Sequence, residues 1–171
     1  MGYNQNSGYG QALLNAVSSA VPTFGRILVV LNGSDTDAEN YQRLSEVFAP
    51  VAGVVRFYTS LEDAYAAAES DNNDVIVLDG NSTHSLSAML TVSKNRVHFV
   101  GLDYLLGIHR AYGQSTKVSL GVTTAATDIA AVLNTGVRNS FRGIKFISNN
   151  TVTESVSGFV DGGEYTYAED C

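Results

Sequence analysis

The chain has 171 residues, 44% of them hydrophobic, which is enough to bury the core of one globular domain and excludes a disordered polypeptide. Ten basic and seventeen acidic side chains give a formal charge of −7, and this excess of negative charge disfavours direct binding to nucleic acid. Cys171 is the single cysteine, so no internal disulfide can form.

The first 22 residues are predicted to form an N-terminal arm. Residues 1–11 are rich in Gly, Asn, Gln, Ser and Tyr, and such a composition cannot build a core on its own. The spacing of Leu13, Leu14 and Val17 predicts a short helix, which Pro22 ends. The segment lacks the basic start of a secretory signal, and no apolar run is long enough to span a membrane.

Residues 23–73 are predicted to form a small α/β cap. RILVVL and VVRFYT, residues 26–31 and 54–59, are typical of strands, and residues 35–50 have the pattern of an amphipathic helix. Ser60 followed by Asp63 indicates the capped start of a second helix over about 60–70. The β-α-β-α-β order also fits a nucleotide-binding or receiver domain. The sequence has neither GxGxxG after its first strand nor GxxxxGK[ST], which weakens that alternative.

From residue 74 onward, pairs of apolar residues recur in short alternating segments. The five pairs begin 21, 21, 26 and 21 residues apart, and in each the two side chains point to the same face of a strand. A strand unit with this period predicts stacked coils, because one coil cannot bury its own apolar face. We therefore expect residues 74–171 to form a parallel β-helix in which the five pairs are equivalent core positions, namely Ile76/Leu78, Val97/Phe99, Val118/Leu120, Ile144/Phe146 and Tyr165/Tyr167.

Further strands and the corners of the coils follow from the segments between these pairs. HSLSAMLTVS, DIAAVLNTG and ESVSGFVDGG are strand candidates, which gives two or three strands per coil. The corners are expected at segments rich in Asn, Asp and Gly, because these residues tolerate a left-handed backbone. Residues 103–115 are predicted to form a protruding loop or short helix. Little sequence follows the fifth pair, so we expect the coils to be incomplete at the C-terminal end.

Histidine and cysteine chemistry finds little support in the sequence. His84, His98 and His109 form no HxH or HxxxH motif, which argues against zinc. His98 lies between two core positions and is expected to point outward. Cys171 as a nucleophile would need a histidine held beside it, and nothing in the sequence fixes one there.

Paired carboxylates are the more serious catalytic option, because β-helix glycosidases and lyases use Asp and Glu on an outer face. Asp161 and Glu164 flank a GG turn, and Glu169 and Asp170 follow, but a solvated acidic rim explains them equally well. We assign no catalytic, cofactor-binding or metal-binding residue, and we expect no cofactor. Four tyrosines outside the predicted core, Tyr3, Tyr9, Tyr104 and Tyr112, favour a chain that docks onto neighbouring proteins.

Residues 60–103, from SLEDAYAAAE to HFVGLD, resemble the opening of pectate-lyase-like right-handed β-helices. Those begin with a helix of the form sLxxAxxxA, a strand DxIxLxxG and the phrase xVxFxG. More narrowly, the run from LVVLNGSD to GQSTKVSLGVTTAATD is similar to virion structural proteins of tailed bacteriophages that carry such a β-helix, and this similarity covers residues 20–171. The positions that match the opening pattern are Leu61, Ala64, Ala68, Asp74, Ile76, Leu78, Gly80, Val97, Phe99 and Gly101.

The resemblance implies a non-enzymatic virion protein, and a capsid decoration or cement protein anchored by its N-terminal region is the favoured form. The implied partners are the major capsid protein or other virion proteins and further copies of the chain, with a trimer favoured and neither nucleic acid nor membrane involved. The implied location is the capsid exterior, after synthesis in the bacterial host cytoplasm. The alternative is a tail appendage or tailspike-like β-helix that binds or cleaves host polysaccharide, and an α/β nucleotide-binding regulator is the third hypothesis.

Overall fold

The computed structural model describes residues 25–31, 55–80, 82–105, 116–121, 129–148 and 157–171. Short strands dominate these ranges, and two short helices accompany them. The strands are β1 Ile27–Val30, β2 Val55–Tyr58, β3 Val75–Leu78, β4 Thr83–Leu86, β5 Leu90–Val92, β6 His98–Gly101, β7 Thr116–Leu120, β8 Ala130–Asn134, β9 Ser140–Arg142, β10 Ile144–Ser148, β11 Ser157–Asp161 and β12 Tyr167–Glu169, and the helices are α1 Leu61–Ala67 and α2 Leu102–Leu105.

The strands form three parallel sheets that the chain visits in turn. Sheet 1 has the order β12-β9-β6-β3-β1-β2, sheet 2 the order β10-β7-β4 and sheet 3 the order β11-β8-β5. From β3 onward, successive strands enter sheets 1, 2 and 3 and then sheet 1 again, so each coil stacks on the previous one. The chain is therefore a parallel β-helix, and this prediction is confirmed.

The register between coils corrects the predicted equivalence of the five apolar pairs. In sheet 1, Ile76 lies beside Phe99, Phe99 beside Phe141 and Phe141 beside Ala168, so the coils are 23, 42 and 27 residues long. The pairs Val118/Leu120 and Ile144/Phe146 lie in sheet 2 instead. Tyr165 and Tyr167 are not core residues, since they are 77% and 48% exposed. An alternating apolar segment indicates a strand but does not tell which sheet of the coil it joins.

The local elements agree with their sequence signals. The Ser60 hydroxyl accepts the N–H of Asp63 (3.1 Å) and donates to its carboxylate (2.8 Å), which is the capped start expected for α1. All three additional strand candidates form strands, as β4 with β5, β8 and β11. The predicted arm over 1–22, the helix over 35–50 and most of the irregular segment 103–115 lie outside the described residues.

The first two strands belong to the same sheet as the coils. β1 lies between β2 and β3, and Leu28 and Val30 share one hydrophobic core with Ile76 and Leu78. Sheet 1 thus runs across residue 74, where we predicted that the α/β cap ends and the coils begin. That division of the chain stays a prediction.

A buried carboxylate ties β1 to the first coil. Asp74 is fully buried and accepts two bonds from the Arg26 guanidinium, at 2.6 and 3.4 Å, and one each from the backbone N–H groups of Arg26 and Glu69, both at 2.8 Å. Burial alone would raise the pKa of Asp74, but the hydrogen bonds and charge of Arg26 lower it below its usual value. The carboxylate therefore stays ionised and holds the two strands together.

Aromatic rings fill the inside of the coils. The ring of Phe141 stacks on that of Phe99, with 4.9 Å between centroids, and meets Phe159 edge-on at 4.8 Å and Phe146 at 5.9 Å. Phe141 is 1% exposed and links the second coil to the last one. The core is thus continuous from coil to coil, as stacking requires.

Replacing Phe141 by alanine should lower the free energy of unfolding by about 3–5 kcal/mol, because the change leaves a cavity between two coils. Urea unfolding followed by circular dichroism measures the effect. Tyr167→Ala is the control, since it removes a ring of similar size from the surface and should cost less than about 1 kcal/mol. A loss below about 1 kcal/mol for Phe141→Ala would contradict this description of the core.

Candidate functional site

The corners that lead from sheet 3 into sheet 1 are alike in every coil. Each is five residues long, over 93–97, 135–139 and 162–166. The fourth residue of each corner has a left-handed backbone: φ is 54° at Arg96, 60° at Arg138 and 56° at Tyr165. Backbone hydrogen bonds of 2.8–2.9 Å join neighbouring corners along the stack. The three residues therefore form one column, which we name the corner strip.

Arginine and tyrosine rarely adopt the left-handed backbone conformation. It costs an ordinary L-residue about 1–2 kcal/mol, whereas glycine and asparagine adopt it readily. Asn73, two residues before β3, has the same conformation with φ of 56° and follows the expectation. The expectation that Asn, Asp and Gly fill such positions is wrong in the corner strip, because the structure has two arginines and a tyrosine there.

Buried asparagines hold the corners from inside. The Asn139 side chain accepts the N–H of Val97 (2.9 Å) and donates to the carbonyl of Lys94 (2.9 Å) and to the Asn134 side chain (2.8 Å). The amide of Asn134 then donates to Asp161, also at 2.8 Å. Because these bonds cross from coil to coil, they fix the backbone that carries the strip.

Close coil contacts also restrict the second position of these corners. A Cβ atom at Gly136 would collide with the carbonyl oxygen of Lys94, and one at Gly163 with that of Gly136. Glycine allows the backbones to approach at both positions. The corner strip therefore lies on a rigid and tightly stacked support.

On the outside, the corner strip presents positive charge beside an aromatic ring. The Arg138 guanidinium lies over the ring of Tyr165, 5.9 Å from its centroid, and both residues are exposed. Among the described residues, Arg138 makes no ion pair. Arg96 is half-exposed, and its Nε lies 3.9 Å from the carboxylate of Asp71, a distance at the outer limit of an ion pair. The guanidinium groups thus keep donors that face solvent.

A second arginine–tyrosine pair lies beside the strip, on the outer face of sheet 1. The guanidinium of Arg142 lies 4.9 Å from the ring centroid of Tyr167, and its Nε is 3.7 Å from Glu169. The Tyr167 hydroxyl donates to Glu169 at 3.1 Å, and this bond raises the pKa of Tyr167. Glu169 therefore balances the charge of this second pair.

His98 points outward from the coil, as predicted, and lies on the same face of sheet 1. Its Nδ1 is 2.8 Å from the Ser140 hydroxyl, and its Nε2 is 3.4 Å from the side-chain oxygen of Asn73. Burial, and then the charge of Arg142, lower the pKa of His98 to about 4. His98 is therefore uncharged near pH 7.

His84, in β4, has a different role and belongs to a cluster at the corner between β3 and β4. Its Nε2 lies 2.8 Å from the carboxylate of Asp79 and 3.2 Å from the hydroxyl of Ser82, which itself donates to Asp79 at 2.6 Å. A serine nucleophile relay needs the hydroxyl and the carboxylate on opposite ring nitrogens. Here both approach the same nitrogen, so the cluster closes a corner. His109 lies outside the described residues.

Among the acidic residues considered as a catalytic pair, Asp161 makes hydrogen bonds that stabilise the fold. Asp161 accepts from the side chains of Asn134 (2.8 Å) and Thr166 (3.0 Å) and from the N–H of Gly163 (3.1 Å). Glu164 and Asp170 are exposed. Asp161 therefore acts as a turn residue, and Glu164 belongs to the rim of the last corner.

The last coil has an apolar opening of about 440 Å³ at its end. Cys171 is an exposed residue at this opening, and its thiol donates to the carbonyl oxygens of Phe141 and Glu169, each at 3.4 Å. Partial desolvation of the thiol raises its pKa. A raised pKa makes the thiol a poorer nucleophile. The side chains that line the opening are those of Phe141, Lys145, Phe146, Phe159, Ala168 and Cys171, together with Gly158.

The described part of the chain contains no group of three or more His, Cys, Asp or Glu side chains arranged to hold a metal ion. No helix in the same residues has the length and apolar character that crossing a membrane requires.

Comparison with known proteins supports the fold. No protein-family model and no curated protein matches the chain. A crystal structure of a mutant pectin methylesterase in complex with a hexasaccharide is similar, with a TM-score of 0.55 and 11% identity. The likeness covers 86% of this chain and 42% of that one, so the chain spans less than half of that protein's length. At this identity the likeness shows the parallel β-helix fold alone.

Corners were expected at segments rich in Asn, Asp and Gly, but the alignment of three of them into the corner strip was not predicted, although a signal for it exists. Residues 94–98, 136–140 and 163–167 read KNRVH, GVRNS and GEYTY, and they align without gaps. The third letter of each is the left-handed residue, and the fifth begins a strand of sheet 1. The predicted equivalence of the apolar pairs hid this alignment, because it gave the coils the wrong lengths.

Lowering the pH from 7 to 4.5 should destabilise the protein less when His98 is replaced by glutamine. An unfolded histidine takes up a proton near pH 6.5, whereas folded His98 does so only near pH 4, so its stabilising contribution is lost as the pH falls through this window. Asp74, whose pKa is lowered, keeps its stabilising contribution at higher pH and loses it only as the pH falls below about 4. Thermal unfolding at several pH values measures the difference, and identical pH profiles for the two proteins would contradict it.

Proposed function

We propose that this chain is a non-enzymatic structural component of a tailed-phage particle, and that it decorates the exterior of the capsid. The similarity of residues 20–171 to β-helical virion proteins suggests the particle. One structural observation supports a scaffold role: Asp74 and Asp161 bind neighbouring parts of the solenoid, and Asp79 binds Ser82 within its own corner. These carboxylates stiffen the coils, and a stiff solenoid suits a protein that is fixed at one end and projects from a surface.

The proposed partners are the major capsid protein or other virion proteins, together with further copies of this chain in a trimer. Closed cyclic assembly is the common form of homo-oligomers and suits the symmetry of a capsid surface. The N-terminal region, residues 1–22, is the proposed anchor.

Particles of the phage that encodes the chain should contain it at a fixed stoichiometry after gradient purification. Removal of residues 1–22 should abolish this association while leaving the circular dichroism of the coils unchanged. Phe57→Leu in the full-length chain is a suitable control, because it alters a strand of sheet 1 and leaves the anchor intact. Absence of the native chain from purified particles would overturn the proposal, and full binding of the truncated chain would overturn the anchor.

A second candidate function is binding of host polysaccharide by a tail appendage. The observation in its favour is the outer surface of the last corner, where exposed tyrosine rings lie next to guanidinium groups. Aromatic platforms with a few polar groups are typical of binding sites for small organic ligands and sugars. The likeness to a pectin methylesterase is compatible with this candidate but carries no activity over to the chain.

Incubation with the capsular polysaccharide of the host separates the non-enzymatic proposal from a tail appendage that cleaves the polysaccharide. The scaffold proposal predicts no release of reducing ends above that of heat-denatured protein. Release that depends on the folded chain, and that survives a second chromatographic purification, would overturn the non-enzymatic assignment. The assay for reducing ends gives this readout directly and needs no phage particle.

A further inference from the structure

A serine and a histidine lie side by side on the outer face of sheet 1. Ser140 in β9 is the register partner of His98 on one side and of Tyr167 on the other. The Ser140 hydroxyl is 2.8 Å from Nδ1 of His98, and the side-chain oxygen of Asn73 is 3.4 Å from Nε2 of the same ring. The hydroxyl and the amide thus contact opposite nitrogens of one imidazole, which is the arrangement that the cluster of His84 lacks.

The contact with Asn73 determines which nitrogen of His98 carries the proton. An amide oxygen can only accept a hydrogen bond, so Nε2 is the protonated nitrogen of this neutral ring. Nδ1 therefore accepts the hydrogen bond of the Ser140 hydroxyl. Asn73 is itself held in place, because its carbonyl oxygen accepts the N–H of Gly25 at 2.9 Å. The three side chains follow the order nucleophile, base and orienting group that activates a nucleophile for acyl transfer.

The surroundings of the pair limit the donors with which it can react. His98 is a weak base, because burial and the charge of Arg142 lower its pKa to about 4. It can relieve Ser140 of a proton only as the new bond forms, and it gives little help to an alkoxide that leaves. Donors whose leaving group is a stable anion, such as aryl esters and thioesters, suit this base better than alkyl esters do.

Access and charge on the same face fit an approach from outside. Ser140 is 6% exposed, and a donor would reach it from the side of Tyr167, which is 48% exposed. Arg142 lies two residues further along β9 and therefore on the same face of the sheet. Its positive charge would favour the oxyanion that forms when a carbonyl group is attacked.

We infer that Ser140 is a nucleophile, activated by His98, that accepts an acyl group from activated esters on the outer face of sheet 1. The Oγ atom of Ser140 bonds to the carbonyl carbon of the donor while its proton moves to Nδ1 of His98. The bond from that carbon to the leaving oxygen or sulfur breaks, and the leaving group departs as an anion with the electron pair. His98 then releases the proton to water, and Asn73 acts as a positioning residue.

One acylation per chain is a covalent modification of the protein. The inference therefore goes beyond the proposed scaffold role and does not oppose it. It also differs from the action of a methylesterase, because a methyl ester has a poor leaving group.

Reaction with p-nitrophenyl acetate tests the nucleophile. The native chain should release one equivalent of p-nitrophenolate, and mass spectrometry of the digested protein should find the acetyl group on Ser140. His98→Gln should slow the reaction about 100-fold, because it removes the general base. Ser85→Ala is the matched control, since it removes a more exposed serine from the outer face of sheet 2 and should leave the rate unchanged.

Asn73→Asp separates an activating role from a structural one. A carboxylate in place of the amide raises the pKa of His98 and makes it a stronger base. Acetylation at pH 7 should therefore be about tenfold faster, and it should slow as the pH falls from 7 to 5. The native chain should react at a nearly constant rate over this range, because its His98 stays uncharged. A hydrogen bond that serves only the fold predicts no change in the pH profile.

Three results would overturn the inference: an acetyl group on other residues but not on Ser140, equal acetylation of Ser140 in urea-unfolded protein, or an unchanged rate in His98→Gln. The first two need only the native sequence, so they hold even if a variant fails to fold. Release beyond one equivalent that requires Ser140 would support the nucleophile and overturn the non-enzymatic part of the proposed function. If no acetyl group forms on Ser140 while purified particles retain the chain, this inference alone fails.

Discussion

Parallel pairing between coils is the interaction on which the whole structure depends. No coil encloses its own interior, so Phe99 and Phe141 are buried, and Phe159 is partly buried, only because the coils above and below supply the facing rings. The same pairing brings residues 23, 42 and 27 positions apart into register. The length of each coil therefore determines which side chains are neighbours in space, more than their closeness in sequence does.

Polar groups at the corners make this register specific. A hydrophobic interior tolerates a slip of one strand past another if the pattern of side chains is kept. A buried amide would lose its hydrogen-bond partners in such a slip, and this loss costs free energy. Asn139 has partners in two coils, and Asp74 joins β1 to the start of β3. Those buried groups thus penalise a shifted register, and they explain why acidic and amide side chains are common in a fold that is otherwise apolar.

The sequence predicted the class of fold because alternation and turn residues are local signals. The start of α1 at Ser60 and the strands β4, β5, β8 and β11 could be located from single segments. Which of those segments stack on one another could not be predicted, because the second coil is nearly twice as long as the first. Strands of sheets 1 and 2 share the same apolar pattern, so Val118 and Leu120 were given partners in the wrong sheet. Tyr165 was wrongly predicted as a core residue for a related reason, since a residue of an alternating apolar pair can also lie in a corner.

Differences in coil length are confined to two of the three corners. The corner from sheet 3 to sheet 1 has five residues each time, while the chain between β6 and β7 and between β7 and β8 is much longer. The corner strip therefore runs from coil to coil without an inserted loop of its own. An edge of constant length preserves the spacing of the groups along it. At Arg138 the left-handed backbone favours a smaller side chain, so the arginine is held there at a conformational cost that its contact with Tyr165 offsets in part.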